Sequence, residues 1–170
     1  MSLIDAGKSV AIEYGAKNIK LGIRDEKILV TLNLEKLTKE NSKKYKEVFN
    51  DSFSDMPHGT WLDDEKLNEY LNCEDENKYY FMVKDGNKII GFMNSEIESD
   101  EGIFDIGLCK EYRSKGFGKR LLETAIHFLN SKNVENISLI VIEKNKIAHK
   151  MYKKRGFVKS DIISYWFELN

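Results

Sequence analysis

The chain has 170 residues, with 27 Lys and Arg against 28 Asp and Glu and a net charge of −1, a length that suits one domain with a sizeable core. With 41% hydrophobic and 32% charged residues, the composition is that of a soluble globular protein rather than a disordered or membrane-embedded one. The even charge argues against nucleic-acid binding, no apolar run approaches the ~18 residues of a membrane span, and MSLIDAGKSVAIEYGAK lacks the basic start and continuous apolar stretch of a secretion signal.

Residues 1–27 read as an N-terminal extension. Val10, Ile12 and Tyr14 alternate, as do Ile19, Leu21 and Ile23, which suits one or two short strands. ILVTLNL (28–34) predicts a strand from its β-branched alternation. LTKENSKKYKEVFNDSF predicts a helix entered at Thr38 as N-cap, with Asn41 and Ser42 in the first turn. TWLDDEKLNEYLN predicts a second helix, with Leu62, Leu67, Tyr70 and Leu71 at helical spacing and Thr60 or Asp63 as cap. KYYFMVKDGNKIIGFMNSEIE predicts a hairpin turning at Asp85-Gly86-Asn87. GIFDIGLC (102–109) predicts a third strand. LLETAIHFL predicts a helix with Leu121, Leu122, Ala125, Ile126 and Leu129 on one stripe. ISLIVI (137–142) predicts a strand buried on both faces. NKIAHKMYKKRG predicts a helix capped by Asn145 and stopped by Gly156, and FVKSDIISYWFELN ends the chain with one or two strands. The expected fold class is α/β (α+β): a single mixed, mostly antiparallel sheet with helices on both faces, in the order β-α-α-β-β-β-α-β-α-β after the extension.

Cys73 and Cys109 lie 36 positions apart, outside any CxxC pattern, and His58, His127 and His149 have no ligand-like spacing to either. No metal site is expected. The cysteine usage suits a reduced, cytoplasmic location. The single proline, Pro57, leaves no proline-rich linker to divide residues 28–170.

The stretch RSKGFGKR (113–120) joins the third strand of this middle region to a helix. A helix start offers N–H groups without intrahelical partners and a dipole that favours anions. Gly116 and Gly118 let the backbone approach a phosphate closely, and Lys110, Arg113, Lys115, Lys119 and Arg120 surround it with positive charge. A P-loop requires Ser or Thr where Arg120 stands. A dinucleotide fingerprint requires Gly or Ala where Leu121 stands. Both are excluded.

What remains, Arg113-x-x-Gly116-x-Gly118 between strand and helix, resembles the coenzyme A pyrophosphate loop of the GCN5-related N-acetyltransferase (GNAT) superfamily. A second signature stands about 32 residues on: Asn145, Ala148, Tyr152, Gly156 and Phe157 match N-x-x-A-x-x-x-Y-x-x-x-G-F. The resemblance runs from about residue 28 to the C-terminus. It implies acetyl-CoA as donor, with the loop from Arg113 through Ser114, Lys115, Gly116, Phe117, Gly118 and Lys119 holding the pyrophosphate. Ile106, Gly107 and Leu108 would then lie along the pantetheine arm, joined by Asn145, Ala148 and Tyr152. Leu108 N–H would meet the thioester oxygen, and Gly107 would mark a bulge or close backbone approach. Tyr152 would protonate the leaving thiolate, since a phenol stays protonated at neutral pH.

For the general base, Asp105 and Glu96 are the leading carboxylates, with Glu98 and Glu143 also near and an ordered water as the other route. Asp105 lies off the Phe104, Ile106, Leu108 face, which also suits plain solvent exposure. Cys109, without a histidine partner, reads as a buried small hydrophobe; His127 and His149 read as surface residues.

The acceptor implied is a primary amine on a small molecule or peptide. The acidic stretch 51–77 suits a cationic one electrostatically, though a solvated helix face accounts for the same charges. The alternative is an acyl-CoA-binding module without catalysis. A homodimer is compatible with the extra N-terminal strands, which can swap between subunits or cover their own sheet edge.

Overall fold

The computed structural model describes residues 8–17, 32–54, 61–142 and 145–167. Within them the strands are β1 (Lys8–Lys17), β2 (Asn33–Lys36), β3 (Lys78–Asp85), β4 (Lys88–Glu98), β5 (Glu101–Leu108), β6 (Asn136–Ile142) and β7 (Val158–Phe167). The helices are α1 (Ser42–Phe53), α2 (Asp64–Leu71), α3 (Phe117–Ser131) and α4 (Lys146–Arg155). All seven strands form one sheet in the order β2-β3-β4-β5-β6-β1-β7. Only β5 and β6 run parallel; the other neighbours are antiparallel. From β2 onward the element order is the one the sequence predicts. Ile19, Leu21, Ile23, residues 28–31, Pro57, His58, Thr60 and Glu143 lie outside the described residues.

Local chemistry sets most of the boundaries. Gly86, at φ 59, turns the β3–β4 hairpin. Asp63 caps α2 by accepting from Lys66 N–H at 2.8 Å, and Asn145 caps α4 by accepting from Ala148 N–H at 3.2 Å. Gly156 ends α4 in the left-handed region, at φ 112. Helix α1 departs from expectation, because its N-cap is Asn41 rather than Thr38. The Thr38 N–H donates to Asn41 Oδ1 (2.8 Å) and the Asn41 N–H donates to Thr38 Oγ1 (3.3 Å). That reciprocal pair holds a turn in front of the helix and delays its start.

The sheet is covered on both faces, but unequally. On one face α1 and α2 pack Tyr45, Val48, Phe49 and Leu67 over Met82 and Phe92. On the other, α3 and α4 pack Leu122, Ile126, Leu129 and Tyr152 over Val83, Met93, Phe104 and Leu139. In β6, Ile137, Leu139 and Val141 are buried whereas Ile140 is 44% exposed. The strand is thus buried on one face only, because α1 and α2 stop short of it. An unbroken apolar run did not mean two covered faces here.

Strand β1 lies inside the sheet, between β6 and β7. It covers the β6 edge of its own chain and is itself covered by β7. Glycine matters where β4 meets β5: a Cβ on Gly91 would stand 2.1 Å from the Gly107 carbonyl oxygen. On Gly107 a Cβ would stand 2.6 Å from the Phe92 ring and 3.0 Å from Ser52 Cβ. Of the two expectations at Gly107, the bulge is absent, since β4–β5 register runs unbroken from Gly91↔Leu108 to Glu98↔Glu101, whereas close approach is present, to the Gly91 position of β4 and to the Phe92 ring and Ser52 under α1. Among the described residues no helix is long and apolar enough to cross a membrane.

Candidate active site

A wedge opens in the middle of the sheet. Strands β5 and β6 pair from Glu101↔Asn136 to Phe104↔Leu139 and no further. Beyond that rung β5 stays with β4 as far as Leu108, and β6 stays with β1 as far as Ile142. The backbone of residues 105–108 therefore borders the wedge.

Which groups face it follows from ladder parity. Cys109 N–H donates to the Ile90 carbonyl at 2.9 Å, so Cys109 and Ile90 form a hydrogen-bonding rung. Rungs alternate in an antiparallel pair. Gly107 and Asp105 therefore bond back to β4, and the amides and carbonyls of Ile106 and Leu108 turn toward the wedge. Their side chains pack on the α3–α4 face.

Asp105 points the other way, to the α1–α2 face, beside Asn94 across the β4–β5 pair. Asn94 Oδ1 accepts from the Tyr45 hydroxyl at 2.6 Å. Asp105 is open to solvent along one side, yet protein surrounds it on the others, and desolvation pushes its carboxyl up to about 7. Exposed Ile103 and Ile140 belong to the same face, and Asp105 opposite Ile140 would be the next same-face rung if the ladder continued. Glu96 is also on this face, exposed and paired in register with Ile103. It lies one same-face step farther from the wedge than Asn94.

Tyr152 sits across the sheet from Asp105, 6% exposed, with Phe157 edge-on at 6.0 Å. Burial raises its phenol well above the ordinary tyrosine value, and the charge of Asp105 raises it further. The two groups are thus in electrostatic reach of each other from opposite faces. Ala148, one turn before Tyr152, is buried in the same core.

At the open end of the wedge, Ser114 (φ 62) and Gly116 (φ 86) both adopt left-handed backbone just before α3. Backbone of this kind builds anion-binding nests, and it feeds directly into a helix N-terminus. A Cβ on Gly118 would make only ordinary contacts, 3.6 Å to Met151 and 3.8 Å to Leu108. The fold's own packing does not demand a glycine at 118. Lys115 and Lys119 are exposed. Arg113 turns inward: its Nη2 donates to the Ser52 carbonyl (2.7 Å) and its Nε to the Leu108 carbonyl (3.4 Å). It ties the loop to the end of α1 and the end of β5. Arg120 pairs with Asp85 at 3.2 Å and stands over the Phe117 ring.

Cys109 is buried, and its thiol is pushed up to about 11, first by burial and then by the Asp51 carboxylate. It is no nucleophile at neutral pH. His127 is exposed as expected. His149 is not at the surface: it is 8% exposed and bonded to Tyr14. The acidic stretch has local tasks, with Asp63 capping α2, Asp64 pairing with Lys46 at 2.8 Å and Asp51 accepting from Lys110 N–H at 2.9 Å. Tyr14, Asn94 and Ile140 escaped the sequence reading, since only the alternation around Tyr14 carried any signal.

The family profile described as acetyltransferase (GNAT) family matches residues 37–157. The chain is 36% identical over 92 residues to a ribosomal protein bS18-alanine N-acetyltransferase of Haemophilus influenzae, covering 54% of this chain and 62% of that one. It is 34% identical over 61 residues to the uncharacterized N-acetyltransferase YycN of Bacillus subtilis, covering 36% and 39%. The chain thus spans less than two thirds of these curated relatives' length. Among solved structures, spermidine N-acetyltransferase from Vibrio cholerae in complex with CoA and spermine superposes with TM-score 0.64 at 22% identity, covering 77% of this chain and 83% of that one. An acetyltransferase from Thermus thermophilus superposes with TM-score 0.66 at 17% identity, covering 82% and 97%. At such identities the likeness speaks for the fold. With the family profile spanning both glycine signatures and every element from α1 through α4, the chain belongs to the acetyltransferase (GNAT) family.

Proposed function

We propose that this protein transfers the acetyl group of acetyl-CoA directly to a primary amine of a small molecule or peptide. The observation that carries the reading is the wedge, with loop amides at its open end and Asp105 and Tyr152 on its two faces. Acetyl transfer needs an anchored donor, a stabilised carbonyl oxygen, a deprotonated amine and a protonated leaving thiolate. The amides of Ser114 through Lys119 hold the pyrophosphate, aided by Lys115 and Lys119, and Gly118 allows close approach. Arg113 acts by holding the loop in shape. Ile106 and Leu108 pair with the pantetheine arm as a strand would, and Asn145 fixes the opposite wall by starting α4.

Leu108 lies nearer the loop and Ile106 nearer Asp105. The amide beside the base is the better placed to meet the thioester oxygen, leaving Leu108 N–H to the arm. Asp105 takes the proton of the attacking amine. Its carboxyl, poised near neutrality, is better matched to that task than an ordinary carboxylate. The amine attacks the thioester carbonyl, the tetrahedral intermediate collapses, the C–S bond breaks, and Tyr152 gives its proton to the thiolate.

A curated relative is named for a ribosomal-protein alanine and a structural neighbour for spermidine, and both are amines, which supports an amine acceptor. Thiol release from acetyl-CoA, measured with spermidine, an aminoglycoside and a peptide bearing N-terminal alanine, tests the reading. Turnover dependent on one of these amines is expected. Binding of acetyl-CoA without release for any of them would instead favour a non-catalytic acyl-CoA module.

Gly116→Ala probes the loop. Its surroundings are open, so the cost is conformational, about 1–2 kcal/mol for a left-handed alanine. The expected outcome is a lower Tm together with weaker acetyl-CoA binding by titration calorimetry.

A further inference from the structure

We infer that the N-terminal strand is a working part of the active site: Tyr14 of β1, through His149, fixes α4 so that Tyr152 meets the reacting thioester. The inference rests on the acetyltransferase reading above. Strand β1 lies outside the matched residues 37–157, yet it is paired on both sides, from Ala11↔Ile142 to Lys17↔Asn136 with β6 and from Lys8↔Phe167 to Gly15↔Val158 with β7. Tyr14 stands opposite Leu139, and Leu139 stands opposite Phe104, the last rung before β5 and β6 part. Tyr14 is therefore on the line where the wedge begins. Its pairing with β7 slips between Ala11 and Ile12 and again between Glu13 and Tyr14. Irregularities of this kind re-aim side chains.

The side chain of Tyr14 is 1% exposed, within the α3–α4 core. Its hydroxyl lies 2.6 Å from His149 Nδ1, and both residues are buried. The Tyr14 ring meets the His149 ring edge-on at 5.3 Å and the Tyr152 ring at 6.2 Å. His149 and Tyr152 are three residues apart on α4, hence on one side of the helix. His149 N–H donates to the Asn145 carbonyl at 3.1 Å, closing the first turn. Tyr14 thus grips α4 at its start, one turn before Tyr152. Alanine-sized packing would not serve, because the contact is a directed hydrogen bond that sets both the height and the roll of the helix. Tyr14 touches no reacting atom in this account. It is a positioning residue.

Tyr14→Phe keeps the ring and deletes the hydroxyl. With whichever amine the wild type acetylates, kcat is expected to fall about tenfold, while KM for acetyl-CoA stays within about twofold. His149→Phe should match that loss, and the two substitutions together should lose no more than either alone. His149→Asn, which places an amide oxygen near the position of Nδ1, should restore part of the rate relative to His149→Phe. A folded Tyr14→Phe protein with unchanged kcat, or losses that multiply in the double variant, would overturn the inference. Should the wild type release thiol with none of the amines, the transfer reading fails separately. Side-chain NMR signals of Tyr152 and amide signals of α4 in the full chain then decide the positioning claim. They are expected to shift in Tyr14→Phe, and unchanged signals would overturn it.

Discussion

Tyr152→Phe is expected to lower kcat about a hundredfold or more and to leave KM for acetyl-CoA within about twofold. The ring sits in the core with Phe104, Leu139 and Phe157, so phenylalanine preserves the packing and removes only the proton. On the role proposed for it, the hydroxyl would act when the thiolate leaves and not when the donor binds, so the loss should fall on the chemical step. Burial, with Asp105 behind it, keeps the phenol protonated far into the alkaline range. The wild-type rate should accordingly show no alkaline decline that Tyr152→Phe abolishes. A variant with wild-type kcat would remove Tyr152 from the mechanism.

Asp105→Asn is expected to cost about 10²–10³ in kcat/KM and to erase the acid limb of the pH profile. The active form of a base is the carboxylate, and the carboxyl is pushed up to about 7. Wild-type activity should therefore rise with pH through that region and level off above it. The sign for stability is opposite. A carboxyl whose folded pKa is raised from 3.8 binds its proton more tightly folded than unfolded. It therefore favours the folded state at low pH, and that advantage is lost as pH rises toward 7. Asp105→Asn should consequently have a higher Tm than the wild type at pH 8, with the difference shrinking toward pH 4. Gained stability with lost activity is what a desolvated functional carboxylate predicts. If instead Glu96→Gln erased the acid limb and Asp105→Asn left it in place, the base would be Glu96.

The parts of this molecule legible in its sequence are those set by short-range chemistry. Gly86 announced the hairpin, Asn145 and Gly156 bounded α4, and the stripe from Leu121 to Leu129 faced the core as its spacing said. Gly116, too, marks the left-handed turn in front of α3 for a local reason, since positive φ leaves a trace in residue type. What stayed hidden depends on contacts between distant segments. Alternation marked Tyr14 as a strand residue, but nothing local says that β1 slots between β6 and β7. His149 looked exposed because its neighbours on the helix, Lys150 and Lys146, are exposed; its partner is 135 positions away. The run from Ile137 to Ile142 looked buried twice over because apolar composition cannot say how far the helices above it extend. At Gly107 the residue type signals close approach, to Gly91, the Phe92 ring and Ser52, and not a bulge.

The wedge between β5 and β6, with the Gly116–Gly118 loop at its mouth, is the place proposed for acetyl-CoA. Thermal unfolding in the presence of the donor tests it most directly. At a hundredfold excess over Kd, binding should stabilise the wild type by about 2.7 kcal/mol, a rise in Tm of roughly 5–10 °C for a chain of this size. In Gly118→Val, which replaces the bare backbone that lets a phosphate come close while its Cβ makes only ordinary contacts with Met151 and Leu108, the same donor concentration should give little or no rise. No shift in the wild type, or an undiminished shift in Gly118→Val, would contradict the account.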